Sequence, residues 1–525
     1  MDLAIGKNAV IVGANDVGKT SILRLLHLTL GASLGQIYQQ LTIGDLDHAG
    51  DDLFVEVTFT EFTPEEQTLF YEAINVAPED GAQVLRIQLS ASVVDDDPEA
   101  LAIRRFFPDA GHDRGPTRAQ QQAFGWRYLP ATRNASGSAL DGANSALRTL
   151  LDSLDLGDDQ DKLAQVLEAF NTTLGTNGTV VSLRKSVSAH LSKAMPRSVK
   201  EQDLAVRTAS DPSDDLLGNV TLFFQQDGRH VPLTEQSDGI RQLMSMTLFD
   251  LAEGSANVIA VDEPELHLHP ASQRTIAELF RTANNQKILV THSPYIVQRF
   301  EPSEVIAVDR DGRAHQMPDT QLKRIEKVRA SWWSSQLLEA LTARHVIVVE
   351  GLSDRIIVEK VAELMGISLD RLGAVAFDIG GADKFPHVYK LLGKDGFCAH
   401  ILGLVDKDAE AVWLGTFGGK PKHLLGSRLW VSDPDLEAEY CTALTGVGVA
   451  KMLIEVGYCR EQALLSSCSV ADLNSITNTA MAEYCRKHKV DVAQTIAMNL
   501  RPADAEKIVS VDNLLAKLGQ LGGAR

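Results

Sequence analysis

The chain has 525 residues, 44% of them hydrophobic and 23% charged, enough for about two to four ordinary domains with real cores. The net charge of −20 argues against a protein that coats nucleic acid non-specifically, yet it leaves room for an enzyme with a local basic groove beside clustered acids. No apolar run is long enough for a transmembrane helix, and MDLAIGKNAV lacks the features of a signal peptide, so no membrane attachment is expected.

The first informative stretch is AVIVGANDVGKTS, Ala9–Ser21. A β-branched run leads into Gly13, and Gly18-Lys19-Thr20 follows after four intervening residues, with a leucine-rich helix predicted to Leu30 and a stop at Gly31. A strand, a glycine-framed loop and a helix in this order form a phosphate cradle. Backbone N–H groups along Gly13, Asn15 and Gly18 face phosphate oxygens. Lys19 reaches the terminal phosphates, the Thr20 hydroxyl stands where Mg²⁺ is held, and Ser21 follows as a nucleotide-binding residue.

Strands are predicted over 51–60 and 84–94, a short helix over Pro64–Ala77, and a polar turn over Asp95–Pro98. Residues 124–133 carry aromatics up to a proline, and 134–144 is loop-like. Helical patterns at 146–170 and 181–195 mark an insertion at about 140–215, a candidate dimerisation or partner surface that a packing role alone fits equally well. A hairpin around an Asp227-Gly228 turn precedes a helix beginning near Ile240. Val258–Val261 is a buried strand ending in Asp262-Glu263. There one carboxylate can hold the Mg²⁺ shell and the next can activate water. Gln286–Ser293 is another buried strand, ending in Thr291-His292-Ser293. His267 and His269 share no helical face and have no cysteine beside them, so they read as loop positions near the nucleotide rather than as a metal site.

These segments resemble ABC-type ATPases of the structural-maintenance, RecF and OLD (overcoming lysogenisation defect) group. Gly13–Thr20 resembles a Walker A motif, Val258–Glu263 a Walker B, Ser237–Arg241 a degenerate signature motif, and His292 the switch histidine. The resemblance implies ATP held between Lys19 of one subunit and Ser237 and Gly239 of another, hence a homodimer or higher homo-oligomer. Two departures stand out. The signature lacks its second glycine and leading Leu-Ser, and the strands that normally precede Walker A are largely absent.

A strand-turn element over 303–315 and a linker helix over 316–343 lead to a second chemical centre. Val346–Val349 is a buried strand ending in Glu350-Gly351, and Asp354 opens an apolar-faced helix closed by Gly366. Val375–Asp378 and Ile401–Val405 continue a βαβαβ pattern, the latter ending in Asp406-Lys407-Asp408. Acids at the carboxyl ends of parallel strands sit where such sheets place their sites. Asp406 and Asp408, two residues apart, are expected to point the same way. An all-carboxylate set suits Mg²⁺ or Mn²⁺ and disfavours zinc. Five cysteines, all in the last third and none in a C-x-x-C pair, read as reduced and structural, which fits a cytoplasmic protein.

VVEGLSD with VDKD resembles the Toprim domain, and the order ABC ATPase then Toprim is similar to OLD nucleases, a group that includes the large subunit of the Gabija antiphage system. The resemblance implies metal ligation by Glu350, Asp406 and Asp408, with Asp354 and Glu437 completing the site. It also implies a downstream lysine, best matched by Lys489 with Lys487 as runner-up. The fold class expected is α/β. An ABC-type ATPase domain (1–315, helical insertion about 140–215) and a linker (316–343) precede a Toprim domain (344–440) and a helical C-terminal part (441–525). The function implied is an ATP-binding, divalent-metal-dependent DNA endonuclease in antiphage defence, with a helicase-like or other defence protein as a possible partner. A topoisomerase- or primase-like enzyme is the alternative, but a topoisomerase needs a further domain with a nucleophilic tyrosine. A nucleotide-dependent sensor with a silent Toprim site is the other, and the intact Glu and Asp-x-Asp argue against it.

Overall fold

The computed structural model describes residues 1–46, 52–77, 81–94, 97–110, 115–131, 151, 157, 159–194, 223–226, 229–232, 235–252, 256–309, 311–317 and 335–523. The sequence readings at 134–144, at the Asp227-Gly228 turn and over most of the linker at 316–343 lie outside these residues.

The first half carries β1 (Asn8–Gly13), β2 (Leu53–Phe59), β3 (Ile74–Val76), β4 (Gln83–Val94), β5 (Asp97–Phe106) and β6 (Trp126–Leu129). Then follow β7 (Phe223–Gln226), β8 (Arg229–Pro232), β9 (Val258–Asp262), β10 (Gln286–Val290), β11 (Val305–Val308) and β12 (Ala314–Gln316). The second half adds β13 (His345–Val349), β14 (Ala374–Asp378), β15 (Ile401–Asp406) and β16 (Leu429–Ser432).

The first sheet runs β12-β11-β1-β10-β9-β6, parallel except for β12. β1 is buried along its whole length, as a continuous apolar run in a sheet covered on both faces must be. The P-loop helix, Lys19–Leu30, inserts Leu23 and Leu30 against this sheet on one side. Its outer side is closed by an antiparallel sheet of β2, β4, β3 and β5, whose Leu85 and Ile87 join the same core with Phe70, Phe107 and Phe124. This second sheet is built from strands that follow the P-loop helix in sequence.

Two local expectations are corrected, and a third stretch gains an assignment. The helix predicted over Pro64–Ala77 ends at Leu69, where the chain turns into β3 to pair with β4. Asp97 and Pro98 are not turn residues but begin β5, which runs antiparallel to β4. The aromatic stretch at 124–133 contains β6, paired in parallel with β9.

In the second half, the four-stranded sheet runs β14-β13-β15-β16 with every pair parallel. One face shares a core with the first sheet. Val10, Val12, Ile259 and Leu289 connect through Leu337, Leu338 and Leu341 of the helix Ser335–Thr342 to Val346, Val348, Phe377 and Val405. The other face packs Ile347, Val349, Leu402 and Leu404 against the C-terminal helices through Tyr440, Met481, Val492, Ile496 and Leu514. The C-terminal helices therefore cover a sheet face that would otherwise be exposed. All five cysteines are free thiols, three of them buried.

Candidate active sites

At the first site, the chain leaves β1 through Gly13, where a Cβ would lie 2.6 Å from the Val308 carbonyl, so only glycine fits. It enters the helix through Gly18 at φ +90°, a conformation that favours glycine. Lys19 is buried, and its Nζ donates to the Ala14 carbonyl at 2.5 Å across the loop. Burial pulls the Lys19 ammonium down, against the carboxylates of Glu263, Asp262, Asp16 and Glu265 that surround it. The Thr20 hydroxyl donates to Asp262 Oδ1 at 3.3 Å, joining the helix start to the end of β9. Asp262 is 1% exposed, and its Oδ2 has no hydrogen-bond partner among the described residues. Burial raises its pKa.

Asn15 and Ser21 lie exposed on either side of Lys19-Thr20. Glu263 follows β9 at φ +45°, in the left-handed region. His292 is half-buried, its pKa lowered by burial and by the Lys19 charge. Ser237 is exposed, and Gly239 lies so close to the loop after β9 that a Cβ there would sit 3.0 Å from the His267 carbonyl. His269 caps the helix Pro270–Thr282, its Nδ1 accepting from the Ala271 N–H at 3.3 Å.

Glu265 was missed by the sequence reading. Its carboxylate accepts the Thr291 hydroxyl at 2.7 Å and the His292 N–H at 2.5 Å, and burial raises its pKa. It ties the loop after β9 to the loop after β10. Its one sequence signal is the third acid of DEPE, two residues beyond Glu263.

At the second site, the sheet order reverses at β13, so the crevice between the carboxyl ends of β13 and β15 is the topological switch point. Glu350 follows β13 and Asp406 ends β15. Glu350 Oε1 accepts the Asp406 N–H at 2.8 Å. Asp354 lies in the first turn of the helix Leu352–Leu364, where its Oδ2 accepts the Gly351 N–H at 2.9 Å. Asp406 Oδ1 accepts the Leu436 N–H at 3.2 Å, which brings in the helix Leu436–Leu444 and with it Glu437. Glu437 is 1% exposed, its Oε1 lies 3.5 Å from Lys489 Nζ, and its Oε2 has no hydrogen-bond partner among the described residues.

Mutual repulsion marks this cluster. Burial first, then Glu350, Asp354 and Glu437, push the Asp406 carboxyl up to about 8. Burial and Glu437 push Asp354 up to about 7. Glu350 is also raised, by burial and by Asp408. Burial disfavours the Lys489 ammonium, but Glu437, Asp354 and Asp406 outweigh it and hold its pKa above the usual lysine value. Lys487, the runner-up, is exposed and carries no such contact.

β15 ends at Asp406, and Asp408 lies exposed in the following turn, where its charge raises Glu350. Among the described residues no three His, Cys, Asp or Glu side chains are gathered closely enough to hold one ion. The acids share a crevice, but backbone N–H groups tether them individually. The donor set still fits a hard divalent cation, because every donor is a carboxylate and an orphaned oxygen is buried at each site, Asp262 Oδ2 and Glu437 Oε2.

A P-loop ATPase sheet followed by an all-parallel sheet with acids at its switch point defines a two-part enzyme class. Residues 9–298, more than half of the chain, match the family described as "AAA domain, putative AbiEii toxin, Type IV TA system", and the chain belongs to it. Residues 341–408 match "Overcoming lysogenization defect protein-like, TOPRIM domain", so the chain joins an ATPase domain to an OLD-like Toprim domain. Such domains use nucleotide and divalent metal.

The chain is 24% identical to the OLD nuclease of Thermus scotoductus over 73% of this chain and 74% of that protein. It is 22% identical to Endonuclease GajA of Bacillus cereus over 39% of this chain and 37% of that protein. Among solved structures, the C-terminal region of the Burkholderia pseudomallei OLD protein aligns over 34% of this chain and 99% of that one, at 22% identity and a TM-score of 0.29. No helix among the described residues is long and apolar enough to cross a membrane.

Proposed function

We propose that this chain is an ATP-regulated, Mg²⁺- or Mn²⁺-dependent DNA endonuclease of the OLD type that serves antiphage defence in the cytoplasm. The observation that carries the proposal is the meeting of Glu350 and Asp406 at the switch point, with Asp354, Glu437 and Lys489 drawn to the same crevice. The named relatives, an OLD nuclease and an endonuclease, support it.

Glu350, Asp406, Asp408, Asp354 and Glu437 are the residues that would hold divalent ions. Ions so held supply an activated water and charge stabilisation on the leaving oxygen. Glu350 doubles as a candidate general base, poised by its raised pKa. Lys489 compensates the charge that builds on the scissile phosphate. At the other site, the loop from Gly13 through Asn15 to Gly18 cradles phosphates and Lys19 reaches the terminal ones. Thr20 and Asp262 would hold Mg²⁺, Ser21 lines the nucleotide, Glu263 activates the attacking water, and His292 reads the γ-phosphate. Ser237 and Gly239 would complete the nucleotide site of a second copy, which makes the working form a homodimer or larger.

The division into 1–315, 316–343, 344–440 and 441–525 belongs to the same proposal. The core shared with the C-terminal helices supports reading 441–525 as completing the nuclease domain. The test is incubation of supercoiled plasmid with Mg²⁺ or Mn²⁺, with and without ATP. Metal-dependent nicking or linearisation supports the proposal, and its absence on every DNA tried leaves a nucleotide-dependent sensor.

A further inference from the structure

The elements that bring ligating groups to the Toprim crevice include the loop after β13, the end of β15 and, third, the start of the helix Leu436–Leu444. The third depends on Asp435. Its Oδ1 accepts the Ala438 N–H at 2.8 Å and caps that helix. Its Oδ2 accepts from Arg486 Nε at 2.6 Å. The helix start so fixed does two things at once. It points the Leu436 N–H at Asp406 Oδ1, and it buries Glu437 beside Lys489.

Arg486 sits near the end of the helix Asn478–Lys487, and the chain passes through His488 directly into the helix that begins with Lys489. Arg486 and Lys489 thus reach the same helix start from one short segment, the first through Asp435 and the second through Glu437. The ion pair is not needed to hold the two helices together. Tyr440 and Cys441 already pack with Met481 and Cys485 in the buried core, with the two thiol sulfurs 3.7 Å apart. A partly exposed ion pair adds little to stability by itself.

Resting on the nuclease reading above, we propose that Arg486 is a positioning residue of the metal centre. Through Asp435 it sets the helix start that presents Glu437 to the ions and the Leu436 N–H to Asp406. The lateral Nε contact suits a guanidinium, and a lysine ammonium reproduces its charge without its geometry. Partners of this kind behind a ligating carboxylate typically change metal affinity about 10- to 100-fold.

The test uses the full chain and reads Mn²⁺ binding by titration calorimetry without DNA, alongside melting temperature and the Mn²⁺ dependence of plasmid cleavage. Arg486→Gln is expected to weaken Mn²⁺ binding about tenfold, with cleavage recovering at high Mn²⁺ and the melting temperature nearly unchanged. Arg486→Lys is expected to fall between it and wild type, and exposed Lys451→Gln to match wild type. Asp435→Ser retains a capping oxygen but loses the partner carboxylate, so it is expected to weaken Mn²⁺ binding as Arg486→Gln does. If Arg486→Gln does not fold, Arg486→Lys and Asp435→Ser decide. Mn²⁺ affinity equal to wild type in the folded variants overturns the positioning role, whatever happens to cleavage. Wild type that binds Mn²⁺ but cuts no DNA contradicts the nuclease reading alone, and wild type that binds no Mn²⁺ overturns both.

Discussion

Glu350 Oε1 accepts the backbone N–H of Asp406 at 2.8 Å, so the carboxylate after one strand is oriented by the residue that ends the neighbouring strand. A glutamine can keep this acceptor, whereas it cannot serve as an anionic ligand or base. Glu350→Gln should therefore keep the melting temperature near that of wild type and lower metal-dependent cleavage at least about 100-fold. Gel quantification of nicked plasmid beside a thermal melt checks both halves.

The acid cluster predicts an inverted pH dependence of stability. Asp354 and Asp406 are held at about 7 and about 8 in the metal-free fold, above the ordinary carboxylate value of about 4. A raised folded pKa contributes stability that is fully present below the unfolded value and lost as pH rises through the folded one. The metal-free protein should thus melt at lower temperature as pH rises through this window. Added Mg²⁺ should flatten the decline, because bound cation replaces the proton. Melting curves across the window, with chelator and with Mg²⁺, provide the check.

Lys489 and Lys487 lie on either side of His488, but only Lys489 reaches Glu437. Lys489→Ala should lower the maximal cleavage rate about 100-fold, and Lys487→Ala should change it less than about twofold. Cleavage rates at saturating metal distinguish the two.

In the ATPase domain, Lys19→Ala should abolish nucleotide hydrolysis. Glu265→Ala should reduce it as well, by freeing the Thr291-His292 segment, and should cost about 2 kcal/mol of stability because two buried donors lose their acceptor. Phosphate release and chemical denaturation measure these effects. Unchanged hydrolysis in Lys19→Ala would mean that the P-loop has been misassigned.

The elements legible in the sequence are those whose signal is local. Gly13–Thr20 declares its loop by glycine spacing, and the strands at Val258, Gln286, Val346 and Ile401 declare themselves as buried apolar runs ending in polar residues. The rest depends on distant partners. β6 is four residues long and exists by pairing with β9 across more than a hundred residues. β3 and the start of β5 are strands because β4 lies beside them. Asp408 lies in the turn after β15, which stops at Asp406, so its place comes from that turn and not from the period-two alternation of a strand. Glu265 acts on the His292 N–H and Arg486 on Asp435 across long sequence separations, and no motif records such contacts. Lys489 could be separated from Lys487 only once the helix Leu436–Leu444 was seen beside it.

The most direct test of the central claim compares Asp406→Ala with wild type in two assays on the same preparations. One follows cleavage of supercoiled plasmid in Mg²⁺ or Mn²⁺, and the other follows ATP hydrolysis. The account predicts that Asp406→Ala loses cleavage and retains ATP hydrolysis. Cleavage by Asp406→Ala at the wild-type rate would contradict it, because the cutting centre would then lie elsewhere.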